Sequence, residues 1–532
     1  MKRFTLFISI FICSNLFAQT TIVNQKTVGG SSNDELTSMD ITSDKGFIIG
    51  GTSSSPISFE KTDSSRGSGD YWIVKFNRNG TIQWDKTFGS NANDELHALE
   101  QTNDGGYILG GSSWGNISGD KSDTNRHDRF DYNDYWLVKT DAAGNKQWDK
   151  TIGGFYLDDL HALEQTKDGG YILGGSSNSP VSGEKTDGCR GTASDYWIVK
   201  VDNAGNKVWD KTIGGTDVDN LYAVRQTPDG GYILAGESVS PVSYEKTDYC
   251  RGFGDYWIVK LDKHGNIQWD KTIGGNSEDA LTSIDLTADG GYILGGYSGS
   301  NISGEKTENT RGVYDYWIVK TDSIGNIQWQ KTIGGNDDDR LYSIHQTKDG
   351  GYILGGYSKS NISGEKTEDS RGDYDYWVVK TDNAGNIQWQ KTVGGYNQDE
   401  LMSVRESGNY YLLTGSSQSG KTGDKTQYRR GEYADYWTVL LQNTASGLIT
   451  EKNIAKLQNA NAFSVYPNPA KDIINRQNAG KAVYVLSNTS GKMYKTVSIE
   501  TNASLNVSNV PAGVYFLTNT TTGKKLTVII DK

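Results

Sequence analysis

The amino-acid sequence predicts an all-β fold: a seven-bladed β-propeller followed by a small C-terminal β-sandwich. Three observations point to it. First, Asp-Tyr-Trp starts at residues 70, 134, 195, 255, 315, 375 and 435, giving spacings of 64, 61, 60, 60, 60 and 60 residues. A fixed period of that kind is one supersecondary unit copied along the chain. Second, 31 Tyr, 14 Trp and 65 Gly against only 7 Pro suit aromatic-rich strands joined by tight turns. Third, the strands do not come out even at the end of the repeat array, and that mismatch predicts how the ring closes.

Residues 96–152 illustrate one repeat. Leu96 to Thr102 alternates, Asn103-Asp104-Gly105-Gly106 signals a tight hairpin, and Tyr107 to Gly111 reads as a second strand. A long Ser/Gly-rich loop leads to the third strand, Tyr135 to Lys139. A turn at Asp141 to Asn145 leads to the fourth, Lys146 to Ile152. Both faces of such a sheet are apolar, so one sheet cannot stay dry alone. Radial packing of copies buries both faces. The Gly-Gly pair ending the second strand is expected to make room for a neighbouring blade's Trp.

A linear solenoid is the competing architecture, and strand accounting separates the two. Six fourth strands carry a Trp: Trp84, Trp148, Trp209, Trp269, Trp329 and Trp389. The seventh Asp-Tyr-Trp has no such strand after it. Its counterpart lies at the other end, Thr21 to Gly30, with Asn24 at the Trp position. The N-terminal strand is therefore expected to complete the blade formed by residues 400–442. That split closes a ring and is of no use to a solenoid.

The turns after strands one and three are short and share one face; the longer connections share the other. The longer ones carry Glu-Lys-Thr…Arg-Gly, with Arg66, Arg126, Arg190, Arg251, Arg311, Arg371 and Arg430. They also carry an Asp eight residues past each Lys-Thr lysine: Asp34, Asp94, Asp158, Asp219, Asp279, Asp339 and Asp399. Groups present in every copy serve the repeat before they serve a ligand, so these read as loop-fixing rather than as a ring of anion or glycan sites. Arg371-Gly372-Asp373 is the local Arg-Gly plus a variable position, not an adhesion motif.

Positions that vary between repeats are the better ligand candidates. Near the start of each innermost strand stand Thr37, His97, His161, Tyr222, Thr282, Tyr342 and Met402. Three residues on come Asp40, Glu100, Glu164, Arg225, Asp285, His345 and Arg405. His97 and His161 fall on adjacent blades, but two His without a third ligand is a poor metal signature. Asn336 to Asp339 is the most acidic loop and lacks an EF-hand's spacing, so calcium is unsupported. No cofactor or metal is expected. Blade two carries an insertion, His127 to Tyr132, whose Phe130 and Tyr132, with Trp114, are the best candidate contact surface on the loop face.

No Gly-x-Ser-x-Gly, HExxH, P-loop or dinucleotide fingerprint occurs. Thr102 to Gly106 resembles the first half of the sialidase Asp-box, but Ile108 and Leu109 depart from it, and that box is itself a structural turn. No catalytic residue is assigned. The expected role is binding of a glycan or protein, with a carbohydrate-active enzyme as the alternative. The net charge of −12 with dispersed Lys and Arg argues against nucleic acid as a partner.

The two ends predict destination. Lys2 and Arg3, the apolar stretch Phe4 to Ile12 and Leu16-Phe17-Ala18 read as a cleaved signal peptide over residues 1–18, too short to span a bilayer. Ile12 before Cys13 does not suit lipoprotein cleavage. No other segment is apolar enough to cross a membrane as a helix. The propeller is placed at 19–442, a polar linker at 443–462 and the last domain at 463–532. Cys189 and Cys250, at equivalent positions of adjacent repeats, are expected to be free thiols because such loops lie too far apart to bridge.

The last domain carries Tyr466-Pro467-Asn468-Pro469, then Gly491-Lys492, Leu505, Ala512-Gly513-Val514-Tyr515 and a final Lys525 to Ile530. In these blocks it resembles the type A sorting domain of the type IX secretion system. The polar run Asn475 to Asn478 departs from that pattern. The resemblance implies recognition by the secretion machinery through residues 463–532 in a Bacteroidetes-type bacterium. It also implies a secreted or surface location, with the domain removed on export. The blades are similar to other Trp-Asp-Lys-Thr-Ile-Gly-Gly repeats of such bacteria.

Overall fold

A computed structural model describes residues 19–127, 132–444, 464–466, 473–477, 482–488, 492–499, 505–520 and 525–530. The expected signal peptide, Phe130, Pro467 to Pro469 and most of the expected linker lie outside these residues. The chain divides into two compact units at Ala445/Ser446.

The first unit is seven four-stranded antiparallel sheets. Blade two shows the plan: Asp94–Gln101 innermost, then Tyr107–Ser113, Asp134–Thr140 and Lys146–Ile152 outermost. The innermost strand starts two residues earlier than its alternation suggests, because Asp94 caps the loop before it. The Asp94 carboxylate accepts the Ser90 N–H at 2.6 Å and the Ser90 hydroxyl at 2.8 Å.

The N-terminal strand Gln19–Val28 pairs antiparallel with Asp435–Thr444, from Gln19↔Thr444 to Val28↔Tyr436. Asn24 sits opposite Leu440, where Trp84 sits opposite Lys75 in blade one. The last propeller strand thus runs two residues into the expected linker.

Asp-Tyr-Trp is a joint between blades. Each Tyr hydroxyl donates to the Trp carbonyl of the following blade, as in Tyr71 to Trp136 at 3.0 Å. The same bond joins Tyr436 of blade seven to Trp72 of blade one at 3.1 Å. All seven Trp side chains are fully buried; truncating one such indole to Ala costs about 3–5 kcal/mol. The buried amine of the Glu-Lys-Thr lysine lies over each indole, 5.0 Å from the ring for Lys61 and Trp72. Each repeat Arg reaches the acid of the next blade's loop: Arg66–Asp120 at 2.6 Å, Arg190–Glu245 at 2.8 Å, and from blade seven to blade one Arg430–Glu60 at 2.8 Å. Asp and Arg therefore serve the repeat, although the Asp that opens each inner strand caps its own loop and does not pair with the Arg.

The Gly-Gly pair does make room for a neighbour, but the neighbour is not Trp. A Cβ on Gly110 would meet Leu163 and Leu160 of the next blade at 2.5 and 2.6 Å. A Cβ on Gly111 would strike the Glu95 carbonyl at 1.9 Å and crowd the Tyr71 hydroxyl of the preceding blade at 2.9 Å. Ala235 and Thr414 occupy the Gly110 position in other blades, whereas the Gly111 position is Gly in all seven. Gly110→Val is expected to cost about 1–3 kcal/mol by overpacking, a melting loss of a few degrees. Gly111→Ala is expected to cost more than Gly110→Ala, since backbone cannot yield as a leucine methyl can. Equal melting points for the two alanine variants would reject this reading.

Buried carboxylates give the propeller a defined pH response. Burial, opposed by N–H bonds and reinforced by the Asp opening the next inner strand, pushes the Asp-Tyr-Trp carboxyl up. It reaches about 6 at Asp70 and about 7 at Asp195 and Asp375. The folded state then holds more protons than the unfolded chain between about pH 4 and 7, so stability falls as pH rises through that window. Burial pushes Lys61 and Lys306 down to about 8, which reverses the slope above that pH. The hairpin carboxyls Asp44 and Asp104 are held at about 2 by Thr and Lys partners that outweigh their slight burial; their contribution is lost as pH falls from about 4 through 2. Thermal melts should therefore peak near pH 4 and be lower at pH 7.5. A midpoint that climbs steadily from pH 5 to 7.5 would contradict it.

The second unit has a three-stranded sheet (Ser464–Tyr466, Ile473–Gln477, Leu505–Asn506) and a four-stranded sheet. The latter runs Met493–Ile499, Ala482–Asn488, Gly513–Asn519, Lys525–Ile530. Tyr484, Leu486, Leu505, Tyr515, Leu517 and Val528 share its apolar core. Of the polar run, Asn475 to Gln477 still pair as strand, with Asn475 opposite Tyr466. The Tyr515 hydroxyl donates to the Pro511 carbonyl at 2.8 Å, tying Ala-Gly-Val-Tyr to its own turn.

Candidate functional site

Every innermost strand carries a β-bulge at the same place. In blade two Leu96 faces Gly111 and Ala98 faces Gly110, so His97 is the extra residue. The bulge residues of the seven blades are Thr37, His97, His161, Tyr222, Thr282, Tyr342 and Met402. A bulge leaves one residue outside the ladder and re-aims its side chain. Here all seven line one axial cavity of about 360 Å³. The alternation in the sequence places these residues on innermost strands, but the bulge that turns them inward shows only in the pairing with strand two.

The mouth is asymmetric. His97 and His161 lie edge to face with ring centroids 5.4 Å apart, and His161 is 5.4 Å from the Tyr222 ring. Burial lowers both imidazoles, His161 to about 3 with help from His97, so His161 is neutral at physiological pH. His97 Nε2 lies 3.8 Å from Glu95. Across the mouth the Tyr342 and Tyr357 hydroxyls share a hydrogen bond at 3.0 Å, whereas Thr37 and Thr282 hydroxyls bond to neighbouring-blade carbonyls at 2.6 and 2.7 Å.

Below the mouth, Asp40, Glu100, Glu164, Arg225, His345 and Arg405 line the same cavity. The acids have a structural task. An innermost strand is a sheet edge with unpaired N–H groups, and the neighbouring blade's acid accepts them: Glu100 from Gln165 at 2.7 Å, Glu164 from Gln226 at 3.0 Å, Asp40 from Gln101 at 2.9 Å. Burial, with Glu164 and Asp40 on either side, raises Glu100 to about 7. Arg405 contacts His345, whose other nitrogen lies 3.3 Å from Asp285. Burial and the Arg405 charge hold His345 down at about 4.

Tyr132 does not join Trp114. Its ring stands 5.4 Å from His127 and 5.3 Å from Tyr156, which is 5.4 Å from Phe155. Tyr132 thus leans on the loop entering blade three, and Trp114 is half-buried. Among the described residues no third His, Cys, Asp or Glu joins His97 and His161 as a metal site would need. In the acidic loop Asp338 binds Arg340 at 3.0 Å and the Tyr374 hydroxyl at 2.8 Å, while Asp339 caps Gly335. Cys189 and Cys250 are free thiols.

One cluster escaped the sequence reading. The Arg340 guanidinium lies against the rings of both Tyr297 and Tyr314, at 5.0 and 4.8 Å. Tyr357 stacks on Tyr342 at 5.2 Å and meets Tyr374 edge-on. The signal was in the repeat columns: Arg340 stands where four other blades carry an acid (Glu35, Glu95, Asp159 and Glu400) and the remaining two carry Asn220 and Ala280.

Fold and cavity together define a seven-bladed propeller with a polar axial cavity, joined to a separate small β-domain. Residues 464–531 match the secretion system C-terminal sorting domain. The chain is therefore delivered by the type IX system to the outer cell surface or beyond. The chain is also 23% identical over 234 residues to the regulatory protein FlaEY of Caulobacter vibrioides, across 41% of this chain and 24% of that protein. It thus spans about a quarter of that relative's length. Among solved structures, Sqt1 from Chaetomium thermophilum aligns with 79% of this chain and 100% of its own at 11% identity and a TM-score of 0.40. The Pan2 WD40 domain of Neurospora crassa aligns with 79% of this chain and 95% of its own at 10% identity and a TM-score of 0.41.

Proposed function

We propose that the exported propeller is a non-enzymatic module that binds a glycan at the loop-face mouth of its axial cavity. One observation carries this reading. The bulge residues differ from blade to blade while the framework around them repeats, and they converge on a single cavity. A neutral imidazole and tyrosines offer what sugar recognition needs: apolar ring surface beside uncharged hydrogen-bonding groups. A protein ligand using the same mouth is the nearest variant.

The enzymatic alternative keeps one observation of its own. A carboxyl held near 7 between two other carboxyls, as Glu100 is, resembles the proton-holding member of an acid/base pair. A glycan array read for binding, with hydrolysis of the captured sugars followed in parallel, separates the two. Binding without turnover, lost in His161→Ala and weakened about tenfold or more (over 1.4 kcal/mol) in Tyr222→Ala, is the expected result. Turnover abolished by Glu100→Gln would establish the enzyme instead. Capture of no glycan, together with pull-down of a surface protein dependent on His161, would move the ligand class to protein.

A further inference from the structure

The seam between blade seven and blade one differs from the other six on the short-turn face. In each of those six, the outer-strand Trp of one blade packs on a Tyr of the next blade's second strand, from Trp389–Tyr411 at 5.1 Å to Trp148–Tyr171 at 6.2 Å. Five of the indoles also lie against the glycine of the next blade's outer hairpin, as Trp84 does against Gly144. At the seventh seam the indole is missing. Asn24 stands in its place, facing Gly80, and Phe47 replaces the Tyr and stacks on Phe76 at 4.4 Å. The result is a groove of about 310 Å³ whose apolar wall includes Val23, Phe47, Leu412 and Leu440.

Its rim is positive. Lys26, Lys45 and Arg78 line the groove and no carboxylate does, in a chain of net charge −12. Among the described residues none of the three has an acid within ion-pair distance. Two local departures from the repeat produce this. Asn77 stands where blades two to six have Asp141, Asp202, Asp262, Asp322 and Asp382, which removes an acid beside the groove. Lys45 takes a turn position that is Gly in blades two to six and adopts a left-handed φ of 67°. A lysine in that conformation is strained, and here it brings an ammonium to the groove.

We propose that this seam is a binding site for a small aryl carboxylate: a flat ring in the slot that an indole fills elsewhere, its negative charge against Lys45 and Arg78. The site is on the face opposite the cavity mouth and stands or falls independently of glycan binding.

The test is fluorine NMR titration of the full chain with 5-fluoroindole-3-acetate. Saturable binding with a dissociation constant near or below about 1 mM is expected, weakening as salt is added. Asn24→Trp should fill the slot from within, raise the melting point and abolish binding. Lys45→Gly restores the residue of the other turns; it should weaken binding several-fold while raising thermal stability. No saturable shift up to about 10 mM, or undiminished binding by Asn24→Trp, would overturn the site. Were Asn24→Trp not to fold, Lys45→Gly decides: unchanged affinity there rejects the proposal.

Discussion

Removing Gln19–Val28 is expected to unfold the propeller rather than trim it. That strand supplies the whole outer edge of blade seven through its ladder with Asp435–Thr444. Val28 is fully buried in the cluster that joins blades seven and one, beside Trp72, Met39 and Tyr436. Without it, the apolar side of Trp437 and Leu441 and a long row of backbone donors and acceptors meet water together. An exposed, flat, apolar edge of this kind is an aggregation template. The measurable outcome is loss of the single cooperative melting transition, with aggregation on purification. A synthetic peptide of residues 19–28 added during refolding should restore it in part, because an extended peptide can re-form the ladder by strand addition. A truncated chain that melts as the intact one does would refute the role of the strand and the closure contacts with it.

Deleting residues 463–532 should change location and leave the propeller intact. The sorting domain has its own apolar core, so its loss exposes none of the seven blade cores. The expected result is a folded propeller retained in the periplasm, with the thermal transition of the propeller unchanged. Appearance of the truncated protein in the medium in normal proportion would show that another part of the chain directs secretion.

Much of the fold was legible because a repeat reports its own rules. A position that is Gly in all seven copies, as Gly111 is, marks a steric demand of the unit, and Asn24 at a Trp position marks the split blade. The joint made by Asp-Tyr-Trp was not legible. Nothing in the tripeptide says that its Tyr reaches to the next blade while its Trp packs on the preceding one. The candidate cavity residues were found by looking for variation inside the repeat, which brought in His97, His161, Tyr222 and Tyr342. The same approach applied to the neighbouring column would have found Arg340. That Tyr132 meets Tyr156 of the loop entering blade three is decided only by packing. Phe130 and the Pro467 to Pro469 block lie outside the described residues.

The sequence by itself determined the number of blades, the strand plan, the splitting of one blade between the chain ends and the sorting domain. These follow from period, alternation and motif, which are properties of residues near one another in the chain. Tertiary structure decided which side chains face the axis, which acids cap edge donors instead of serving a ligand, and where a missing indole leaves a basic-rimmed slot. Those outcomes depend on bulges, on contacts between residues some sixty positions apart and on the meeting of the two ends, so no local pattern encodes them.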